Sequence, residues 1–387
     1  MRIAVAYDCL FPWSTGGGER QYRVFSEEFA AAGHEVTYLT RKQWDGPPPG
    51  VDGLTVRVVS DDRELYDPTG TRTTGPAIRF ARGLFVHLLG HRRAYDAVLV
   101  SATPASNVPA VRAALAGSAV TVAVDWLEVF RPDQWREYSG PVMGRVASGV
   151  QRLAVRLSLI ASCHSRLVAD RLRALGFPGE PVVSPGLIAD ELVGKPSLEV
   201  PDPPHIVYVG RHIADKRVEA LPAAIAHARE QLPGLTATIY GDGATRAAVL
   251  AEIDRWGLRG VVDAPGFVSQ EELDEGLRSA SCLVNPSQRE GYGLVVVEAC
   301  AAGTPAVVVA GDDNASVELV EEGINGAVAD SIRPNDLGAA IVRVVEAGEP
   351  LRASTALWFE TASETRTIRA AARGILRELE RAAGPRR

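Results

Sequence analysis

Short apolar blocks alternate along the chain with longer stretches in which apolar residues recur every third or fourth position. Residues 2–7 (RIAVAY) read as a buried strand, and the glycines at 16–18 open a helix carrying Val24, Phe25, Phe29 and Ala32. Residues 34–39 form the next strand, 54–59 another, and 76–93 an amphipathic helix. Strands at 97–100 and 119–124, a helix over 143–159, a strand at 160–163 and a helix from Ser165 to Leu175 complete the first half. The alternation restarts after a gap. Strands are predicted at 205–209, 235–240, 260–262, 281–284 and 306–309, with helices around 218–228, up to Ile253, from Glu271 and from Leu294. Residues 333–347 and 363–382 read as the last two helices; Ile368, Ala372, Ile375, Leu379 and Ala382 lie along one side of the final one. Strands alternating with helices predict an α/β protein with parallel sheets.

The gap is the domain boundary. Between Ser184 and Pro204 the chain has five prolines and only short apolar pieces. A chain of 387 residues exceeds the length over which one core usually grows, so two domains are expected, 1–188 and 189–362. Charge divides at the same place, with a net of +3 over 1–188 and −10 over 189–387. Neither half has the concentrated basic face of a nucleic-acid binder. Helix 76–93 carries Arg79, Arg82 and Arg93, and helix 143–159 carries Arg145, Arg152 and Arg156. Such helices can lie on anionic lipid, but a solvated helix face is the preferred reading. Residues 43–78, with Trp44, the prolines at 47–49 and the Asp67-Pro68-Thr69-Gly70 run, read as a long excursion around one strand. Cys9, Cys163, Cys282 and Cys300 have no metal-ligand spacing and suit buried free thiols in a reducing compartment. The first strand begins at Arg2 and no apolar run reaches spanning length, so a cytoplasmic protein is expected.

Candidate chemistry collects where predicted strands end. After strand 281–284 comes Asn285-Pro286, then Arg289 and Glu290, then Gly291-Tyr292-Gly293 and the helix from Leu294. This is the strand–loop–helix connection at which open sheets place ligands. Gly291 and Gly293 permit close backbone approach, and the amides after them can face an anion. Glu290 and Glu298 are suited to accept hydrogen bonds from sugar hydroxyls; dipole compensation is an equal account of Glu298. Strand 205–209 ends at Gly210-Arg211, and Lys216 stands just before the next predicted helix. Two cations at a helix start oppose the dipole and suit a diphosphate. Asp125 directly follows strand 119–124, where it would either face a ligand or cap the next helix. His164, after strand 160–163, reads mainly as satisfying the strand end.

The segments VGRHIADKR (209–217) and ASCLVNPSQREGYGLVVVEACAAGTP (280–305) resemble the Gly-Arg…Lys and Glu-x7-Glu signatures of retaining glycosyltransferase family 4. The resemblance implies a GT-B fold, two facing Rossmann-like domains with a cleft between them. It implies an acceptor-side N-terminal domain, a nucleotide-sugar donor domain over 189–362, and a terminal helix (363–384) packing back onto the first. In that family Arg211 and Lys216 would stabilise the leaving diphosphate, with Gly210 beside them. Glu290 and the amides of Gly291, Tyr292, Gly293 and Leu294 would hold the donor sugar, and Glu298 the nucleotide ribose. Gly266, Phe267 and Val268 would bracket the base, though a plain loop glycine followed by core aromatics is a rival. Gly17 and Gly18 match a loop whose amides bind donor phosphate or acceptor, and a tight turn is the alternative. Relatives carry a histidine near position 125; this chain has Asp125 and Glu128, leaving Asp125 as the acceptor-side candidate. The implied reaction moves a hexosyl unit from a UDP- or GDP-sugar to a hydroxyl of a small natural product, glycan or lipid, with retention. No tightly bound cofactor is implied, and without an Asp-x-Asp tandem no metal is expected. A non-catalytic sugar-nucleotide sensor, or an epimerase or phosphorylase of the same fold, stays open.

Overall fold

The computed structural model describes residues 1–14, 16–61, 74–189 and 196–384. The chain divides into two compact units, one comprising Met1–Leu187 with the chain from Arg366 onward, the other Ile188–Thr365.

The first unit holds β1 (Arg2–Ala6), α1 (Gly17–Ala31), β2 (Glu35–Arg41), β3 (Leu54–Ser60), α2 (Thr74–Gly90), β4 (Ala97–Ser101), α3 (Asn107–Ala114), β5 (Thr121–Trp126), α4 (Pro132–Ser139), α5 (Pro141–Leu157), β6 (Ile160–Cys163), α6 (Arg166–Ala174) and β7 (Val182–Val183). Its seven strands pair in parallel in the order β3-β2-β1-β4-β5-β6-β7. Apolar residues of β1, β4 and β5 meet Phe80, Leu84 and Leu88 of α2, Val108 and Val111 of α3, and Ala154 and Val155 of α5 in one core. Both faces of these central strands are covered, which is why they read as continuous apolar runs.

The second unit holds β8 (His205–Val209), α7 (Leu221–Ala228), β9 (Thr236–Tyr240), α8 (Arg246–Arg255), β10 (Val262–Gly266), α9 (Gln270–Arg278), β11 (Cys282–Asn285), α10 (Leu294–Ala301), β12 (Ala306–Val309), β13 (Gly326–Ala329) and α11 (Pro334–Thr365). Six parallel strands run β10-β9-β8-β11-β12-β13. The order reverses between β8 and β11, and in the first unit between β1 and β4. Crevices at such switch points, beyond the carboxyl ends of the strands, are where this architecture binds ligands.

The last helix, α12 (Ile368–Ala383), belongs to the first unit. It packs on α1, burying Ala371, Ala372, Ile375 and Leu379. Arg369 and Arg373 both pair with Glu28 of α1, Arg373 at 2.9 Å.

Helices α3 and α4 and strands β7 and β13 are absent from the expected pattern, and several expected elements are shifted. The short strand expected at 260–262 lies instead at Val262–Gly266 and includes Pro265. It is the edge strand, where a residue without an N–H is tolerated. The helix expected over 333–347 continues to Thr365, interrupted at Gly348 (φ 54°), and Pro350 sits at the start of its second segment, where proline is favoured. Strand β5 extends through Asp125 to Trp126, two residues beyond its expected end. The Asp67–Gly70 run and part of the proline-rich gap (190–195) lie outside the described residues. All four cysteines are free and buried. Among the described residues no helix is long and apolar enough to cross a membrane.

Candidate functional site

The switch point of the second unit is built from the loops leaving β8 and β11. Strand β8 ends at Val209 and the chain turns through Gly210 and exposed Arg211. This turn is pressed against the one after β9: a Cβ on Gly241 would stand 1.9 Å from the Gly210 carbonyl oxygen, and Gly241 has φ 109°. His212 is bound into the same turn, its amide donating to Asp242 O and its carbonyl accepting from Thr245 N, both at 2.9 Å. A 3-10 turn over Ala214–Lys216 follows, then Arg217 in left-handed conformation (φ 47°). The α-helix starts only at Leu221. Lys216 therefore does not stand at the α-helix start as expected, and the dipole argument does not apply to it.

The loop after β11 is stitched to this segment. Gln288 N donates to Asp215 O at 2.7 Å, and the Arg217 guanidinium donates to Pro286 O (2.9 Å) and Ser287 O (3.0 Å). Arg289 pairs with Asp215. These links bring Lys216 Nζ onto Glu290 Oε1, which also accepts from Ser287 Oγ at 2.9 Å and Asn285 Nδ2 at 3.4 Å. Both side chains stay partly accessible, Lys216 at 21% and Glu290 at 14%. The Glu290 backbone is fixed by Asp313 O, which accepts from its N–H, and by Ala315 N, which donates to its carbonyl, both at 3.0 Å. Tyr208 Oη donates to Arg211 O at 3.2 Å. Burial, then the charge of Glu290, pushes the Tyr208 pKa up, so the phenol stays a donor.

Gly293 caps α10 with φ 105°, and a Cβ there would meet Ser316 Cβ at 2.6 Å, so the position is reserved for glycine twice over. The amides of Leu294 and Val295 precede the first bond of the helix, Val296 N to Gly293 O at 3.0 Å. Glu298 is the fifth residue of α10 and half-buried. Gly266 ends β10, its carbonyl accepting from Gly241 N at 2.8 Å. Phe267 is 75% exposed, whereas Val268 packs on the core that includes Leu283, Val296 and Val308.

The first unit gathers a different cluster. Asp125 was expected to emerge from its strand into a ligand space or to cap the next helix. It does neither: it lies within β5, fully buried, and α4 is capped at Arg131. Its carboxylate accepts from Ser162 Oγ (2.5 Å), Tyr22 Oη (2.9 Å) and Gln21 Nε2 (3.1 Å), and meets His164 Nε2 at 3.1 Å. His164 does more than finish a strand end, since its other nitrogen contacts Ser184 Oγ at 3.0 Å. Burial acts to raise the Asp125 pKa, but His164 and the hydroxyl donors outweigh it and hold the carboxyl below its usual range. At the start of α1 the amides of Gly17 and Gly18 precede the first bond back, from Arg20 N to Gly16 O at 3.2 Å. Gly18 also makes room for Tyr7, whose hydroxyl oxygen would stand 2.5 Å from an added Cβ.

Residues 16–186 match the family model described as a glycosyl transferase 4-like domain, and residues 193–356 match that of glycosyl transferases group 1. The chain is a family 4-type glycosyltransferase. It is 29% identical over 371 residues to a glycogen synthase of Mycobacterium tuberculosis (strain ATCC 25618 / H37Rv), covering 89% of this chain and 86% of that one. An alpha-D-kanosaminyltransferase of Streptomyces kanamyceticus is 32% identical over 145 residues, 38% of this chain and 37% of that one. Among solved structures, sucrose-phosphate synthase from Thermosynechococcus elongatus superposes with TM-score 0.80 at 20% identity, covering 99% of this chain and 100% of that one. Anabaena HepE in complex with UDP-glucose gives 0.72 at 17%, covering 98% and 99%. The fold is GT-B, two parallel-sheet α/β domains in one chain.

In this glycosyltransferase the residues that sequence reasoning missed are the ones that aim the others. Asp215, Arg217 and Ser287 hold the two loops together, and Asn314, after β12, braces the second of them: its Nδ2 donates to Ser287 O at 3.2 Å and to Val309 O at 2.8 Å. Arg217 had a signal, as a third cation in the 209–217 run, and Asn314 is legible in the sequence as the start or cap of the next helix, a role it fills by accepting from Ser316 N at 3.1 Å. Among the described residues no group of three His, Cys, Asp or Glu side chains is placed to hold a metal ion.

Proposed function

We propose that this glycosyltransferase moves a hexosyl unit from a UDP- or GDP-sugar to an acceptor hydroxyl with retention of anomeric configuration. The reading rests on one observation above all, the convergence of Lys216, Glu290 and the amide-bearing start of α10 at a single switch point. Lys216 and Arg211 supply positive charge where a leaving diphosphate accumulates negative charge. Glu290 and the backbone of Gly291–Leu294 accept from and donate to the sugar hydroxyls, and Glu298 takes the ribose. Gly266, Phe267 and Val268 flank the base. In the donor-free enzyme Lys216 is paired with Glu290, so donor binding exchanges that partner for phosphate oxygens. With the diphosphate neutralised by side chains, no metal is required. The second unit is thus the donor domain, and the first, with Gly17, Gly18 and the Asp125 cluster, serves the acceptor. Asp125 acts there as a positioning residue, orienting Gln21, Tyr22 and His164.

The donor class is supported by Anabaena HepE, whose structure holds UDP-glucose. The acceptor is a small natural product, a glycan or a lipid; similarity to the M. tuberculosis glycogen synthase keeps a glycan in view. Four buried free thiols suit a reducing, cytoplasmic setting. The test is a donor-hydrolysis screen across UDP- and GDP-hexoses, followed by acceptor trials with the best donor and assignment of the product anomer. Cleavage of one sugar nucleotide with a retained product is expected. An inverted product, or no turnover of any hexose donor with every acceptor class, overturns the reading.

A further inference from the structure

Three helices lie side by side on one face of the first sheet, α2 against α3 and α3 against α5. Together they contain six arginines and not one Asp or Glu. On the other face, α1 and α12 carry both signs, with Glu19, Glu27, Glu28, Glu378 and Glu380 among their arginines. Among the described residues, carboxylates reappear beside the cationic face on α4, as Asp133 and Glu137, where it packs on α5, and, as Asp170, on α6, which shares the same core.

The same helices expose large apolar side chains. On α5, Val142, Val146 and Leu153 are each about half exposed or more, as are Ile78 and Val86 on α2. At roughly 100° per residue the three on α5 fall within about 40° of one another, and Arg145, Arg152 and Arg156 share an arc of similar width along their flank. On α2, Arg79 and Arg82 alternate with Ile78 and Val86. The sequence alone favours a solvated face for these arginines, but it does not reveal that the residues between them are exposed too.

We infer that the α2–α3–α5 face docks on an anionic lipid surface. Arginines attract the headgroups, and the intervening apolar side chains gain by entering the headgroup–acyl boundary. A nucleic-acid backbone would use the charge and leave the apolar residues in water. A second copy of the same face would set arginine against arginine. The inference does not depend on the transfer reaction, because binding is read without donor or acceptor.

Co-sedimentation with vesicles tests it, using phosphatidylcholine alone and phosphatidylcholine mixed with phosphatidylglycerol. The full chain is expected to pellet with the mixed vesicles, to remain in solution with the neutral ones, and to be released by salt. Arg145→Glu/Arg152→Glu weakens partitioning on the order of tenfold or more, since each basic group contributes separately at such a surface. Val146→Ser/Leu153→Ser weakens it as well, which a purely electrostatic contact would not show. All four positions are exposed, and an unchanged circular dichroism spectrum and thermal unfolding curve report an intact fold. The proposal is overturned if the wild-type chain ignores anionic vesicles or if charge reversal leaves binding unchanged. It is equally overturned if labelled RNA or DNA binds in preference to vesicles, or if sedimentation equilibrium shows self-association that these substitutions abolish.

Discussion

The molecule contains two polar clusters of similar composition, one in each unit and each formed at the carboxyl ends of parallel strands. Around Asp125 every partner is internal. Tyr22, Gln21, Ser162 and His164 saturate the carboxylate and the group is fully buried. Around Glu290 the protein supplies Lys216, Ser287 and Asn285 but leaves the pair partly accessible, beside helix amides that precede the first intrahelical bond. A strand-end carboxylate is therefore not a ligand group by virtue of its address. What decides is whether its neighbours have already used its lone pairs.

If the Lys216 cluster serves the leaving diphosphate, Lys216→Ala slows transfer by on the order of 10²–10³-fold, the scale of losing one preorganised charge-stabilising donor. Initial rates on a folded variant check this, and transfer within threefold of wild type returns Lys216 to a structural part. Glu290→Gln sharpens the same point. It removes a sugar acceptor and also the carboxylate that competes with phosphate for Lys216. Transfer should fall about 10²-fold while nucleoside diphosphate affinity rises by roughly threefold, the effect of releasing a partly exposed ion pair. A variant that binds the diphosphate more weakly would mean that Glu290 supports the phosphate site.

Asp125→Asn probes the other cluster. Breaking a buried pair should lower unfolding free energy by about 3 kcal/mol. The folded-state pKa of Asp125 is depressed, so its stabilisation is complete above the ordinary carboxylate range and is lost as pH falls through the folded value. Denaturant titrations at several pH values should show a shallower acid limb in the variant. If stability is unchanged and acceptor-dependent turnover collapses, Asp125 touches the acceptor after all. The smallest expected effect is that of chelation, which should leave activity unaltered; silence in chelator that only Mg²⁺ or Mn²⁺ reverses would add a metal to the site.

How much was readable in advance follows the same division. Gly210, Arg211, Lys216, Glu290 and Gly291–Leu294 lie in two contiguous runs next to apolar strands, so periodicity places them at strand ends and the family resemblance supplies the roles expected of them. The Asp125 cluster draws on Gln21, Tyr22, Ser162, His164 and Ser184, which no spacing connects and which only the strand order assembles. The alternation of strands and helices gave both parallel sheets, because fully buried strands read as unbroken apolar blocks. The second segment of α11 escaped notice because Gly348 and Pro350 read as an ending, when a left-handed glycine followed by proline both stops one helix and starts another. Strand β10 was misplaced because a proline looks foreign to a sheet unless the strand is known to lie at an edge.

The central claim is that Lys216 recognises the donor diphosphate. Calorimetric titration of UDP, GDP, UMP and GMP into wild type and Lys216→Ala addresses it directly. Wild type should bind the diphosphate of its preferred base on the order of tenfold more tightly than the monophosphate, because the second phosphate adds a charge-assisted contact. The variant should lose most of that preference while keeping its choice of base. An unchanged preference for diphosphate over monophosphate in Lys216→Ala would contradict the account.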